Sequence, residues 1–384
     1  MERIKDNEGT PFMTFAAISP SVERTILSAR ESKVTGREWV QWGDRNEYPN
    51  YLQKLFEGTN TLHAVVLGLV DYIIGNGVEV DRQPWNGKAI NGKGMTPREL
   101  AKETAKSIGV YGGFAWQLVP SKAGELLEIY PLKMQYVRMN AEANTVFYCE
   151  NWARRCDTAT VYGRWSGAFA RDAKTGKYRS SVLVVKCWGD GVYPSPLHAA
   201  ALKACETERA IDEFHLGNIE RGFMGSYIIN FNGGKPQTDE IRREIERDVN
   251  RKFAGSRNAG RILLAFNNDK DHAVTLQKLD VADYGEKYDT LAKHSRQQIF
   301  TAFRANPNLF GIPTENLGFS SEEYESAFKL FNRTIVTPLQ DTIVEAWGAA
   351  TGGNMTIAPF TLEGADTDAS TGIGTGGNTI ASEG

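Results

Sequence analysis

Residues 283–347 carry two helical patterns of apolar positions, separated by a segment that cannot be helical. Apolar side chains recur at spacings of three, four and eight, which predicts one apolar stripe on each helix. The stripe of the first helix is Tyr284, Tyr288, Leu291, Ile299 and Phe303, and that of the second is Tyr324, Phe328, Phe331, Ile335 and Ile343. The prolines and glycines of 306–318 end the first helix and precede the second.

The second helix carries its own start and kink signals. Ser320 with Glu323 three residues later predicts a capping box, and Pro338 predicts a kink near residues 334–337. A helix of about 23 residues is about 35 Å long. The intervening loop is therefore expected at the end of a rod, which suits a mechanical role better than a catalytic cleft.

The N-terminal half alternates between helical and strand-like patterns. Helices are predicted at 61–74 and at 97–110, the latter capped by Thr96 with Pro97 and Glu99 in its first turn. Short β-like runs separated by turn residues follow. They are 114–119, 126–130, 136–139, 145–149, 158–165 and 181–188. We therefore expect an α+β fold in which a mixed or antiparallel sheet packs on helices.

A long helix and a compact insert are predicted next. Ser195 suits an N-cap and Pro196 a first helical position, in a helix that reaches about Arg221. The insert is predicted to contain strands at 226–231, 261–266 and 273–279. Its one helix would be capped by Thr238, with apolar residues at every fourth position. Residues 1–37 are expected to form a loosely held arm and 352–384 a disordered tail.

Composition excludes several classes of protein. The net charge of −3 over 384 residues gives no global attraction to nucleic acid, so any DNA contact must be local or steric. The longest apolar run, 62–74, is too short to span a bilayer. The opening residues are too polar for a signal peptide. Four unevenly spaced cysteines favour free thiols, and the scattered histidines argue against a metal site.

The basic and acidic clusters permit two interpretations each. Arginines concentrate in the insert, where they could contact nucleic acid or an acidic partner. Spacings such as Arg242–Glu246 and Asp239–Arg243 favour intrahelical ion pairs on a solvated face, whereas Arg257 and Arg261 flank a glycine in a loop. Neighbouring carboxylates could serve acid–base or two-metal chemistry, but they lie at predicted helix starts, where the helix dipole explains them. No catalytic residue, cofactor site or metal site is predicted.

Several short patterns follow one another in a fixed order along the chain. The patterns are WGDRNEYPNYL (42–52), IIGNG (73–77), VYGGF (110–114), IYPL (129–132), YPSP (193–196), IFTAFRANP (299–307), LFGIP (309–313) and residues 328–338. In their order over residues 38–350, the chain resembles the portal proteins of tailed bacteriophages. A large helical crown at the C-terminus, found in such proteins, is absent.

The resemblance implies a portal-like α+β architecture. It comprises a mixed α/β wing, two long stem helices that flank a small α/β clip, and a kinked C-terminal helix. The implied ranges are an N-terminal arm at 1–37, a wing at 38–194, stem helices at 195–222 and 282–305, a clip at 223–281, a tunnel loop at 306–321, a wing and crown helix at 322–351, and the tail at 352–384.

The resemblance also implies a structural, non-enzymatic function without cofactors. Such a protein is a virion component assembled in the bacterial cytoplasm. It forms a ring, usually of about twelve copies, at one capsid vertex, through which double-stranded DNA is packaged and ejected. The implied partners are the terminase large subunit, a head–tail adaptor, the major capsid protein and DNA bound without sequence specificity.

Site residues follow from the same resemblance. The implied channel residues of the tunnel loop are Arg304, Asn306, Asn308, Phe310, Asn316 and Phe319. The implied partner-binding residues of the clip are Arg242, Arg243, Arg247, Arg251, Arg257 and Arg261. Two alternatives stay open: another ring-forming head–tail component, which would lack paired stem helices around an insert, and a metal-dependent nuclease that uses Asp and Glu.

Overall fold

The chain divides into two compact units. One consists of Met1–Ile26 with Ala201–Ile299, and the other of Leu27–Ala200 with Phe300–Gly384. The computed structural model describes residues 26–34, 37–81, 85, 88–152, 159–220, 227–231, 238, 240–241, 243–244, 262–266, 282–312 and 321–361.

The larger unit contains five of the helices and ten of the strands in the described part of the chain. Its helices are α1 (Tyr48–Gly58), α2 (Asn60–Ile74), α3 (Pro97–Tyr111), α6 (Ser321–Phe331) and α7 (Thr337–Thr351). Its strands are β1 (Ser32–Lys33), β2 (Val40–Gln41), β3 (Gly77–Val80), β4 (Gly113–Pro120), β5 (Leu126–Leu132), β6 (Val137–Met139), β7 (Thr145–Tyr148), β8 (Thr160–Arg164), β9 (Ser181–Lys186) and β12 (Met355–Ala358). The α+β prediction is confirmed.

Six of these strands form one mixed sheet in the order β5-β4-β9-β8-β7-β6. All its pairings are antiparallel except that of β8 with β9, which are parallel. Helix α3 packs against β4 and against α2, and Trp116 of β4 donates a hydrogen bond from its Nε1 to Thr104 Oγ1 at 2.9 Å. The mixed sheet packed on helices is therefore as predicted.

Helix α3 begins with the predicted capping box. The Glu99 amide donates to Thr96 Oγ1 at 3.2 Å, and the Thr96 amide donates to Glu99 Oε2 at 2.8 Å. Pro97 occupies the first turn, where its missing N–H costs no hydrogen bond. The apolar face that follows is buried against the sheet and α2.

A buried arginine links the Trp42 segment to the sheet. Arg138 of β6 is fully buried and donates to Asn46 Oδ1 at 2.5 Å and to the carbonyls of Asn46, Gln135 and Val137 at 2.8–2.9 Å. Its guanidinium also lies 5.0 Å from the ring of Trp152. Burial lowers the pKa of Arg138 to about 10, which leaves it charged at neutral pH.

Residues 26–34 are anchored, contrary to the loosely held arm predicted there. The Glu31 carboxylate accepts hydrogen bonds from the amides of Val192 and Tyr193, both at 2.8 Å. Strand β1 pairs antiparallel with β2. The sequence shows only a polar segment because the partners of Glu31 lie some 160 residues away.

The expectation of four free thiols is wrong for Cys149, which is disulfide-bonded. The partner of Cys149 lies outside the described residues. Cys187 and Cys205 are free, and burial raises the pKa of each thiol to about 12. Both thiols are therefore protonated at neutral pH.

The C-terminal helical region is interrupted as Pro338 predicts. A π-helical turn at Asn332–Val336 separates α6 from α7, and the Thr337 amide donates to Asn332 O. Pro338 has no N–H and its ring crowds the carbonyl of residue i−4, which the wider turn relieves. The predicted cap at Ser320 lies outside the described residues.

The smaller unit contains helices α4 (Leu202–Glu220) and α5 (Ala282–Ala302, of which the last residues belong to the larger unit) and strands β10 (Tyr227–Phe231) and β11 (Ile262–Phe266). A 3₁₀ turn at Leu197–Ala201 precedes α4 where a continuous helix was predicted. Strands β10 and β11 pair in parallel. Between them, the Ile241 amide donates to Thr238 Oγ1 at 3.4 Å, as expected for the predicted cap. The predicted strand 273–279 lies outside the described residues.

Within the described residues, no helix is both long and apolar enough to cross a lipid bilayer.

Candidate functional site

The segment after α5 turns sharply at Arg304. This residue is exposed and adopts a left-handed backbone with φ 51°. Its amide donates to Thr301 O and the Ala305 amide donates to Phe300 O, both at 3.0 Å. A left-handed residue is a common way to end a helix, although glycine is the usual choice. The backbone thus turns away from the helix at a cationic side chain.

The next residues form a compact turn, although the sequence predicted only an irregular loop. Asn306 Oδ1 accepts a hydrogen bond from the Asn308 amide at 3.0 Å and thereby caps a 3₁₀ helix at Pro307–Phe310. Gly311 ends this helix in the left-handed conformation, with φ 72°. The first half of the predicted tunnel loop is therefore preorganised.

The turn is held against α2 by Leu309 and Phe310. The hydroxyl of Tyr72 donates to Leu309 O at 2.6 Å. The Phe310 ring lies over Gly68, where a β-carbon would come within 2.5 Å of the ring. It also lies 5.6 Å from the ring of Phe300. Gly68 therefore leaves the space that Phe310 fills.

The structure brings together some of the predicted channel residues. Arg304 is exposed, Asn306 and Asn308 are half-buried at the 3₁₀ turn, and Phe310 is half-buried in an aromatic cluster with Tyr72 and others. Asn316 and Phe319 lie outside the described residues. A role of these residues in a DNA channel stays a prediction, and the packing of Phe310 indicates an anchor.

The predicted clip residues are mostly outside the described part of the chain. Arg243 is described, lies in the helical segment after Thr238 and is exposed. Arg242, Arg247, Arg251, Arg257 and Arg261 are not described. Their role in partner binding stays a prediction.

The two long helices of the smaller unit contact each other through aromatic rings. The ring centroids of Phe214 in α4 and Tyr288 in α5 are 4.6 Å apart, and His215 lies 5.8 Å from the same tyrosine. The sequence pattern identified Tyr288 as part of an apolar stripe but missed Phe214. Two other apolar side chains of α4 stay exposed, Leu216 by 56% and Ile219 by 62%.

A buried histidine in the 3₁₀ turn before α4 was not predicted. His198 is fully buried in the 3₁₀ turn before α4 and stacks on Phe303 with ring centroids 5.5 Å apart. Neither ring nitrogen has a hydrogen-bond partner among the described residues. Burial lowers the pKa of His198 to about 4, so the ring is neutral at physiological pH. The alternation of apolar and polar positions carried no signal for such a site.

The described residues contain no group of three or more His, Cys, Asp or Glu side chains that could hold a metal ion. The turn at Arg304–Gly311 offers one cation and amide side chains. These groups can contact an anion, and the turn lacks the paired acid and base or nucleophile that bond cleavage requires.

One family model matches this chain. The family model described as "Phage portal protein" matches residues 91–351, which is more than half of the chain. No curated protein sequence matches the chain significantly.

Among solved structures, a chain from the neck of an empty gene transfer agent particle aligns with a TM-score of 0.51. It has 16% identity and covers 86% of each chain. A portal protein of the HK97 phage family from Corynebacterium diphtheriae aligns with a TM-score of 0.44. It has 12% identity and covers 80% of this chain and 94% of the other.

Proposed function

This chain belongs to the phage portal protein family, and from that premise we propose that it forms the ring at one capsid vertex through which double-stranded DNA is packaged and later ejected. The family is one of structural proteins and assigns the chain a head–tail connector role. The ring, the passage of DNA through it and its partners are parts of the proposal.

The observation that carries the proposal is the pairing of α4 and α5 within one compact unit. The 4.6 Å contact between the rings of Phe214 and Tyr288 joins two helices that are about 70 residues apart in sequence. The chain between them includes the parallel strands β10 and β11. Paired helices around a small insert are the arrangement that a stem and a clip would have, which supports that assignment. This pairing favours a portal over another ring-forming head–tail component.

The charge of the chain suits a conduit. A net charge of −3 per copy gives about −36 for a ring of about twelve copies. Such a ring repels phosphates on average, so DNA can slide through it without binding tightly to the channel wall. Contacts with DNA then depend on local groups such as Arg304, Asn306 and Asn308.

We assign Phe310 to anchoring the tunnel loop. Its ring fills the space over Gly68, and Leu309 is tied to Tyr72, so residues 307–312 stay with α2. The channel contacts would then come from Arg304, Asn306 and Asn308 and from the part of the loop beyond residue 312.

The insert is the proposed docking site for the terminase large subunit during packaging and for a head–tail adaptor afterwards. The exposed Arg243 fits this role, because exposed arginine offers strong polar contacts to acidic partners. The major capsid protein is the expected partner at the vertex.

Negative-stain electron microscopy of the purified full chain tests the ring. Rings with a central hole are expected, and the number of subunits can be counted in end-on views. A protein that stays monomeric at high concentration would contradict the proposal.

Incubation with plasmid DNA and magnesium or manganese separates the portal from the nuclease alternative. A portal leaves supercoiled plasmid uncut over hours, whereas a metal-dependent nuclease nicks or linearises it. Cleavage abolished by a chelator would support the nuclease.

A further inference from the structure

A short, strongly cationic hairpin lies in the connection between β8 and β9. Arg171 and Tyr178 form an antiparallel bridge. The Asp172 amide donates to Lys177 O at 2.8 Å, and the Arg179 amide donates to Ala170 O at 2.9 Å. Nearly all the side chains between them are exposed. Residues 170–179, named here the cationic hairpin, are thus a formed structural element.

One carboxylate organises the turn of the cationic hairpin. Asp172 Oδ1 accepts hydrogen bonds from the amides of Lys174 and Thr175 at 2.9 and 2.8 Å. Its Oδ2 accepts from Arg179 Nε at 2.9 Å and also from Nη2. The Arg179 guanidinium, followed by these amides, holds the pKa of Asp172 well below its usual range. The carboxylate is therefore fully engaged inside the hairpin.

The hairpin is also fixed to the rest of the sheet. The Tyr178 ring lies on Gly124 in the β4–β5 turn, where a β-carbon would come within 2.4 Å of the ring. The guanidinium of Arg171 lies 4.5 Å from the centroid of the same ring. The single aromatic residue of the hairpin is thus engaged within the chain and does not serve as an apolar anchor for a partner.

The cationic hairpin has a net positive charge, whereas the whole chain has a net negative charge. Four cations (Arg171, Lys174, Lys177, Arg179) against one carboxylate (Asp172) give +3 over nine residues, in a chain of net charge −3. Arg171, Lys174 and Lys177 are exposed and form no ion pair with a carboxylate in the described residues. Three positive charges are therefore available to an external anion.

We propose that the cationic hairpin binds the phosphate backbone of double-stranded DNA. A protein partner fits less well, because protein interfaces are depleted in lysine and are centred on buried aromatic or apolar anchors, which this hairpin does not present. Phosphates need only positioned cations, and the preformed turn lowers the entropy cost of presenting them. The inference rests on the proposed function, which brings DNA to the protein.

The test measures binding of the full-length protein to a fluorescein-labelled duplex of about 25 base pairs by anisotropy at several salt concentrations. Three phosphate contacts give a slope of about −2.7 in log affinity against log salt, or about a 40-fold loss between 50 and 200 mM. The variant R171Q/K174Q/K177Q should lose this contribution. It keeps Asp172 and Arg179, so the turn is preserved, which a thermal melt checks.

A matched control removes the same three charges elsewhere. K54Q/R98Q/K102Q changes exposed cations of α1 and α3 and should bind DNA with the salt slope of the wild type. Equal losses of DNA affinity in both variants would show that net charge alone causes the effect and would overturn the proposal. Wild-type affinity in the hairpin variant would also overturn it.

Ring formation is scored separately by electron microscopy for each variant. Intact rings with weakened DNA binding support the proposal. Lost rings with unchanged DNA binding would assign the hairpin to a neighbouring copy and overturn it. If even the wild type forms no rings, the proposed function fails, yet the DNA measurement on the hairpin still stands on its own.

Discussion

Arg138 shows how one side chain can hold several segments in place. Its guanidinium donates to Asn46 Oδ1 and to three backbone carbonyls, and in the described part of the chain no carboxylate is directly bonded to it. Removing it would take this donor away from all four acceptors, of which Asn46 Oδ1 keeps a hydrogen bond from the Trp42 amide at 3.0 Å. Buried acceptors that lose a donor are costly. The residue thus acts through hydrogen-bond satisfaction more than through ion pairing.

We expect Arg138→Met to lower the free energy of unfolding by about 3 kcal/mol or more, as measured by urea denaturation. Arg138→Lys should recover little, because one ammonium group cannot reproduce the planar fork. Arg164→Lys is the control, since Arg164 is exposed although it also donates to backbone carbonyls. Equal effects at both positions would contradict the role assigned to Arg138.

The buried His198 predicts a sensitivity to acid. Its pKa is about 4 in the folded protein and 6.5 in the unfolded chain, so the unfolded chain binds more protons between these values. The free energy of unfolding therefore falls as pH drops from about 6.5 to about 4. The loss from this group is about 3 kcal/mol in all and about 2 kcal/mol by pH 5.

The variant His198→Phe separates this contribution from other acid effects. It keeps an aromatic ring against Phe303 and removes both unpaired nitrogens, so stability at pH 7 should be equal or higher. Urea denaturation at pH 7 and pH 5 should show a smaller loss than in the wild type. A variant with the full wild-type loss would rule out His198 as the source.

At the scale of elements, the loop after α5 consists of an anchored half and a half beyond residue 312. The anchored half depends on Tyr72 and on the space over Gly68, both in α2. This division refines the tunnel loop implied by the resemblance, which treated 306–321 as one element.

Tyr72→Phe tests the hydrogen bond from Tyr72 to Leu309 O. The variant leaves Leu309 O without its donor, which should cost about 1–3 kcal/mol. Amide hydrogen exchange should become faster in residues 309–312, with little change in the six-stranded sheet. Tyr130→Phe is the control, because its hydroxyl lies at a partly exposed site far from the loop in sequence. Unchanged exchange at 309–312 would show that the Phe310 ring is sufficient as an anchor.

At the scale of the whole molecule, the proposed ring must cover apolar surface that one copy leaves open. Leu216 and Ile219 lie about 140–200° around α4 from Phe214, at 100° per residue, so they face away from the contact with α5. Side chains exposed by 56% and 62% are costly on an isolated helix and suit an interface between copies.

The double variant Leu216→Glu with Ile219→Glu should abolish or weaken rings while leaving the monomer folded. Electron microscopy and sedimentation measure the rings, and circular dichroism measures the fold. Lys203→Glu is a matched control, since it also changes the net charge of α4 by −2 but on the opposite side of the helix. Rings that survive the double variant would place the interface elsewhere.

Local chemistry made much of the fold predictable. The capping box of Thr96 and Glu99, the strands of the sheet and the interruption before Pro338 are each encoded within a few residues. A capping residue, an alternating pattern or a missing N–H acts at short range, so its effect is visible in the sequence. The family resemblance also came from such short patterns, and the match to residues 91–351 confirmed it.

Long-range contacts decided the rest. The tie between Tyr72 and Leu309 spans 237 residues, that between Arg138 and Asn46 spans 92, and the anchoring of Glu31 spans about 160. The sequence alone predicted α2, α3 and the strands of the six-stranded sheet, and the resemblance to a portal, but it did not predict α1 or the 3₁₀ turns. Only the tertiary structure decided that Phe310 packs over Gly68, that His198 is buried and that the cationic hairpin is a formed element. The physical reason is that burial and hydrogen-bond satisfaction depend on which distant segments meet, and no local pattern specifies that.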